Sequence, residues 1–335
     1  MLEKPDLPDE KIAACLQNQY GLDVNLVAFL PLGADLDAAV YRVLAKDKTP
    51  YFFKLKRGAF EEISVDLPKF LYDLGIDKII PPLASKTGQL WTNLDSYKAI
   101  LYPYIEGKDA YEIELSDHQW REFGTALKKV HTVILPSALA GRIPRETYSS
   151  SWREMAKSYL EHAEHGSFDD PVAAELAAFM KSKRLVVLDL VERAERLAHK
   201  LQVEIQKFIM CHSDLHAGNL LITREGAFYI VDWDNPILAP KERDLMFVGG
   251  AQGFIGHTPQ EEENLFYQGY GPAEVDPVAL AYYRYERIVE DIAAYCDQIF
   301  STSEGDADRA QGLHYLKSNF LPGNTIEVAV RKESA

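Results

Sequence analysis

Cysteine is scarce and positive charge is in deficit: the 335 residues hold 3 Cys, and 36 Lys and Arg stand against 51 Asp and Glu, a formal net charge of −15. The thiols Cys15, Cys211 and Cys296 are odd in number, far apart and without metal-ligand spacing. They exclude a disulfide scaffold and predict reduced thiols in a cytoplasmic protein. The charge balance gives polyanions a poor field, so no nucleic-acid partner is expected, whereas a cationic ligand is admissible. An acidic surface serving solubility alone would look the same. No run approaches the roughly 18 apolar residues of a membrane span, and residues 1–11 carry no apolar leader, so no membrane association is expected. Internal repeats and low-complexity tracts are also missing, and nothing suggests an obligate protein partner. What remains is an ordinary globular mix, 47% hydrophobic and 26% charged, long enough for two or three packed units.

Residues 9–20 read as a short helix stopped at Gly21, and three strand-like runs follow at 24–30, 39–44 and 51–55. A helical stretch over 61–74 contains Pro68, which predicts a kink or a late start. Strand candidates at 79–83 and 99–105 complete a small antiparallel sheet with one helix beside it. From Ser116 the character changes. Ser116 and Gln119 form a capping-box pattern, and Trp120, Phe123, Leu127, Val130 and His131 recur at helical spacing. Further helical patterns cover 152–162, 171–181, 185–201 and 277–299, interrupted by a β-rich island at 208–210, 220–223 and 228–231. The expected organisation is a β-rich N-terminal lobe at 1–105, a hinge near 102–106 and a mainly helical lobe at 106–335.

Polar residues concentrate in the island: Cys211-His212-Ser213-Asp214-Leu215-His216-Ala217-Gly218-Asn219, then, beyond a strand hairpin, Asp232-Trp233-Asp234. Phosphoryl transfer needs such a set. One carboxylate orients or accepts the proton of the attacking hydroxyl, here Asp214; an amide and a second carboxylate hold Mg²⁺ on the phosphates, here Asn219 and Asp232. The order His-x-Asp, four residues, Asn, then an Asp after a hairpin is the kinase catalytic order. His212 and His216 also have the spacing of a zinc pair, but Gly218 follows, no glutamate base intervenes and the pattern is strand-loop-strand. His212 reads instead as a buried histidine bonded to nearby backbone.

Upstream, Lys54 alternates with Phe53 and Leu55 on the third strand, where an ammonium can reach the phosphates of ATP; Lys56 shares its face. Glu62 is the expected carboxylate partner of Lys54, or else an ordinary acid of a helix's first turn. The phosphate loop is placed at 33–38 with Gly33 and Asp35, and carries one glycine where protein kinases carry three. Adenine is expected against Tyr102, Tyr104 and Ile105, residues that could equally be plain core.

Together, residues 212–219 and 231–234 resemble the aminoglycoside phosphotransferase and choline kinase superfamily. Residues 51–56, 98–105, 232–236, 239–247 and 283–293 are similar to its spectinomycin-phosphorylating members. The resemblance implies an α+β, protein-kinase-like bilobal fold, with ATP and Mg²⁺ as cofactors. It implies Asp214 as base, Asn219 and Asp232 as Mg²⁺ ligands, Lys54 as an ATP contact and Asp244 as a buried support of the catalytic loop. The single-glycine loop agrees with it. A protein substrate is argued against by the short interval between Asp232 and Asp244, which leaves no room for an activation segment, and by Ser213 where protein kinases carry Arg. A small cationic acceptor follows, with spectinomycin and its 9-hydroxyl implied, and drug inactivation as the outcome; a metabolic kinase for choline, an amino-sugar or homoserine is the alternative. Tyr282, Glu286 and Glu290 recur at four-residue spacing, with Asp291 adjacent, and would line such a cation, as would Asp234. The other reading of that helix face is a solvated one with Arg287 paired to Asp291.

Overall fold

The computed structural model describes residues 2–33, 37–302 and 305–333. The order begins with α1 (Asp9–Tyr20), β1 (Val24–Leu30), β2 (Ala38–Ala45), β3 (Pro50–Lys56), α2 (Ile63–Asp73), β4 (Thr92–Leu94), β5 (Tyr97–Pro103) and β6 (Gly107–Asp109). It continues with α3 (Asp117–Thr132), α4 (Ser137–Ala140), α5 (Ser151–His165), α6 (Pro171–Gln202), β7 (Ile209–Cys211), β8 (Leu220–Thr223) and β9 (Phe228–Ile230). It closes with β10 (Ile237–Ala239), α7 (Glu242–Leu245), α8 (Pro259–Tyr270), α9 (Pro277–Phe300), α10 (Asp306–Ser318) and α11 (Thr325–Glu333). The architecture is α+β, β-rich in its N-terminal part and mainly helical after it.

Packing divides the chain into two units. The first comprises Met1–Ile113, Leu135–Ile143 and Gly218–Pro236; the second comprises Glu114–Ile134, Pro144–Ala217 and Ile237–Ala335.

In the first unit an antiparallel sheet runs β1-β2-β3-β5-β4. Alternation along the strands sends Ala39, Tyr41, Val43, Phe53, Leu55, Ala99 and Leu101 to one face, where Ile12, Cys15 and Leu16 of α1 cover them. Helix α1 stops at Gly21, whose φ of 75° is the left-handed C-cap that glycine adopts without strain. The expected strand at 79–83 is absent. Pro81 and Pro82 remove two ladder donors, leaving one parallel bridge from Ile79 to Ile230, and β4 is instead the strand paired with β5 at the sheet's end. Helix α2 starts late, at Ile63, with Pro68 in its interior. A second, three-stranded sheet runs β6-β8-β9.

In the second unit the two helical stretches expected at 171–181 and 185–201 are one helix, α6, of 32 residues. The intervening Ser-Lys-Arg contains no breaker, so the turns simply continue. Helix α9 is buried along most of its length, with Tyr282, Tyr283, Tyr285, Ile288, Val289, Ile292, Ala293, Cys296 and Ile299 all inside. The capping box of Ser116 and Gln119 opens α3 as the sequence predicts.

Helices α3 and α8 cross through two glycines. A Cβ on Gly269 would stand 1.7 Å from the Arg121 carbonyl oxygen, and one on Gly124 would stand 2.1 Å from the Phe266 carbonyl oxygen. Backbone on both sides cannot yield as a flexible side chain would. Gly269→Ala is therefore expected to force the helices apart at a cost of about 1–3 kcal/mol, read as a lower thermal unfolding midpoint. An unchanged midpoint would show that the crossing has slack.

Candidate active site

The pleat of β3 that buries Phe53 and Leu55 turns Lys54 and Lys56 to the opposite face, with Lys54 in register between Val40 and Ile100. The Lys54 ammonium donates to Asp232 Oδ1 at 2.9 Å and to both carboxylate oxygens of Asp234 at 2.9 Å each. Burial works against its charge, but the two carboxylates outweigh that and hold its pKa well above the usual lysine value. Lys56 stands 3.8 Å from Asp234. Local backbone explains why both acids reach one cation: Trp233 is buried, its indole N–H donating to the Ile230 carbonyl at 3.1 Å, while Asp232 takes a left-handed φ of 63°. The β8–β9 hairpin pairs Leu220 with Ile230, and the Val231 N–H donates to the Asn219 carbonyl at 3.0 Å, so Asn219 lies across from the start of the same turn. A cavity of about 240 Å³ is lined by Lys54, Lys56, Asp234, Ser64 and Ile100.

Other residues expected near the nucleotide are placed as follows. Glu62 does not partner Lys54. It sits exposed before α2, 3.6 Å from Arg142, which also holds Asp66 at 2.7 Å. Asp232 and Asp234 supply the carboxylates that Glu62 was expected to give, and Asp234 therefore meets lysines of its own chain where a substrate ammonium was expected. Gly33 has a φ of 84°, and a Cβ added there would meet nothing within 4 Å among the described residues, while Asp35 lies outside them. Tyr102 is on the Lys54 face of β5 in edge contact with Phe52, ring centroids 6.3 Å apart, and burial pushes its phenol pKa up. Tyr104 lies under the Arg42 guanidinium, 5.1 Å from ring centre, and Ile105, beyond the end of β5, is half-buried.

In the second unit, the segment around Asp214 is irregular and held from behind. The fully buried Asp244 accepts from the His212 N–H at 2.9 Å and the Ser213 N–H at 2.7 Å, with His131 Nε2 at 2.9 Å. Burial raises the Asp244 pKa, but the His131 bond, the histidine charges and the backbone donors overcome it, so the carboxyl is held below its ordinary value. His131, Cys211 and Asp244 are close enough to share a metal ion, but His131 bonds Asp244 and spends its other nitrogen on the Tyr270 hydroxyl at 2.8 Å, while the Cys211 thiol donates to backbone carbonyls, so the cluster reads as a support. Ser213 takes a φ of 74°, and the His212 ring Nδ1 accepts the Asp214 N–H at 3.3 Å. No helix face joins His212 to His216, so the zinc geometry is not formed.

Asp214 itself carries a contact the sequence did not reveal. Arg287 Nη1 donates to its Oδ1 at 2.5 Å, and His216 Nε2 stands 3.7 Å from Oδ2. Burial pushes this carboxyl up, but the Arg287 charge, aided by His216 and His212, holds it well below the usual carboxylate range. The aspartate is thus ionised and oriented.

The face of α9 expected to line a cation is largely internal. Tyr282 is buried in edge contact with Tyr148 and Tyr283. Glu286 stands 3.4 Å from Arg153, Glu290 3.6 Å from Arg243 and Asp291 2.9 Å from Arg287. A charge removed from water needs a partner, and each of these acids has an arginine. Burial nevertheless pushes Glu286 to about 7 and Asp291 to about 6. The carboxylates expected to line a cation thus each stand beside an arginine of the chain itself. The Arg287–Asp291 pair of the other reading does form, in a sheltered place.

Comparison with known proteins bears on the family. The sequence pattern of the Phosphotransferase enzyme family matches residues 28–278. A crystal structure of spectinomycin phosphotransferase in complex with ADP and spectinomycin is 36% identical, covers 99% of this chain and 100% of its own, and superposes with a TM-score of 0.91. The AMP-bound complex of spectinomycin phosphotransferase is 35% identical, with coverages of 96% and 98% and a TM-score of 0.85. The choline kinase LicA from Streptococcus pneumoniae, at 15% identity, coverages of 97% and 98% and a TM-score of 0.58, shares the fold. A comparison with curated proteins found no match. Among the described residues no helix is long and apolar enough to cross a membrane. With the family pattern spanning most of the chain and a kinase-like fold beneath it, the protein belongs to the Phosphotransferase enzyme family and is a kinase that transfers phosphate to a hydroxyl.

Proposed function

We propose that the protein uses ATP to phosphorylate a small cationic amino-cyclitol, with spectinomycin and its 9-hydroxyl the acceptor best supported. The observation that carries this reading is the likeness, at 36% identity over 99% of the chain, to an enzyme crystallised with ADP and spectinomycin. Inactivation of the drug would follow, because a cationic molecule gains a bulky dianion.

The residues fit the chemistry. Asp214, held ionised by Arg287, accepts the proton of the acceptor hydroxyl as the new oxygen–phosphorus bond forms and the bond from the γ-phosphorus to the ADP oxygen breaks. Lys54, whose ammonium is aimed by Asp232 and Asp234, binds the α- and β-phosphates. Asn219 and Asp232 offer two hard oxygen donors at the open end of one hairpin, few enough to leave positions for phosphates and water, which suits Mg²⁺. When bound, the ion neutralises charge on the phosphates. Asp244 and His212 shape the loop that presents Asp214. Tyr102, Tyr104 and Ile105 are assigned to the adenine side and Gly33 to the phosphates. In this reading Glu62 holds Arg142, and the arginine-paired acids of α9 serve as framework.

The test is a Mg·ATP assay against spectinomycin, kanamycin, choline and homoserine, following ADP release and product mass. Spectinomycin is expected to gain one phosphate. Turnover of another of these alcohols with spectinomycin unmodified would overturn the substrate assignment.

A further inference from the structure

The contact between Arg287 and Asp214 has no counterpart in the residues a hydroxyl kinase must have for its phosphates and metal. Its surroundings show a built arrangement. Arg287 projects from α9 beside the buried Ile288 and Val289, is only 16% exposed, and lies with its guanidinium 5.6 Å from the centre of the Phe247 ring. Its Nε stands 2.9 Å from Asp291 Oδ1, one turn further along the same helix, while Nη1 takes Asp214 Oδ1 at 2.5 Å. The charged groups facing the pair are Glu290 and Asp291 from α9, His212 and His216 from the loop, and Arg243 from α7. The other two arginines here answer acids of α9 itself; Arg287 bridges an α9 acid to the irregular loop.

We propose that Arg287 is a positioning residue for Asp214, clamping the carboxylate in the orientation from which it meets the acceptor hydroxyl. This rests on Asp214 being the proton acceptor. An exposed ion pair would be mobile and worth little. A sheltered one, charge-assisted and fixed from behind by Asp291 and Phe247, removes the rotational freedom that a carboxylate on a loop otherwise keeps. The proximity of the cation makes Asp214 a weaker base, yet phosphoryl transfer through a loose transition state asks more of alignment than of basicity. A misplacement of about 1 Å can cost about 100-fold in rate.

The test is a double-mutant cycle on kcat for the alcohol that the wild-type protein phosphorylates, using Arg287→Met, Asp214→Asn and the double variant, with Arg287→Lys beside them. Arg287→Met is expected to lower kcat about 100-fold while KM for ATP and for acceptor stays within about threefold. In the Asp214→Asn background the same change should have no further effect, because the group it positions is gone. Arg287→Lys keeps the charge but loses the planar fork, so an intermediate kcat is expected, and this variant decides the matter if the Met variant does not fold. Equal losses from Arg287→Met in both backgrounds, a raised acceptor KM with kcat unchanged, or wild-type kcat in Arg287→Lys would each overturn the proposal. Full activity in Asp214→Asn alone would instead remove the base assignment. If no alcohol is turned over, the substrate reading fails and the cycle is read on ADP release to water.

Discussion

Asp214→Asn is expected to lower kcat by about 10²–10⁴-fold, with KM for ATP and the thermal midpoint close to wild type. The change is nearly isosteric, but an amide cannot take the hydroxyl proton. Stability should hold because Arg287, which loses a charged partner 2.5 Å away, keeps Asp291 at 2.9 Å. Nucleotide affinity should hold because the Lys54 cluster is built from β3 and residues 232–234, not from Asp214. Steady-state kinetics alongside a melting curve separate these effects: a fall in kcat alone is the signature of a group acting in the transition state. Near-normal turnover in this variant would move the proton acceptor elsewhere.

The local parts of the fold were readable because their signals are local. Gly21 stops α1 where a left-handed residue is needed, and the Arg-Glu-Gly turn with Gly226 at a φ of 84° joins β8 to β9. The reading failed where one local signal was weighed against another. In residues 79–83 the β-branched isoleucines suggested a strand, but two prolines cannot donate to a ladder, and hydrogen bonding decides. Between 181 and 185 polar residues suggested a break, yet none of them interrupts a helix, and α6 runs through.

The site divides the same way. Asp214, Asn219 and Asp232 could be proposed from sequence because they fall in one short stretch in the kinase order, with Asn219 and Asp232 flanking the β8–β9 hairpin. Counter-ions could not. Lys54 and Asp232 are 178 residues apart, and Arg287 and Asp214 are 73 apart; nothing in spacing can say which carboxylate a lysine will meet. Glu62 was the nearest acid by analogy, but Asp234 shares a turn with Asp232, and an alternating Asp-Trp-Asp with its indole buried puts both acids on one side. On α9 the acids at four-residue spacing looked like a binding face. Their arginines come from α5, α7 and α9 itself, and burial demanded them.

Asp244→Asn is expected to destabilise the protein by about 3–5 kcal/mol, the cost of breaking a buried charge network by removing one partner's charge. The carboxylate oxygens accept from three directions: Oδ2 from the His212 N–H and His131, Oδ1 from the Ser213 N–H. An asparagine can keep an acceptor on one side only. Its NH₂ group must then face an N–H, donor against donor, in a place with no solvent to compensate. The sign of the pH dependence follows from the depressed pKa of Asp244. The unfolded carboxyl titrates near its ordinary value of about 3.9, so the stability it contributes is fully present above that pH and is lost as pH falls through the lower, folded value. Chemical denaturation at pH 7 should therefore show the full gap between wild type and variant, and the gap should narrow as both are taken into acid below that value. Because Asp244 holds the two residues that precede Asp214, the folded fraction of the variant should also turn over substrate more slowly. Equal stability of the two proteins at pH 7 would show that Asp244 does not support the loop.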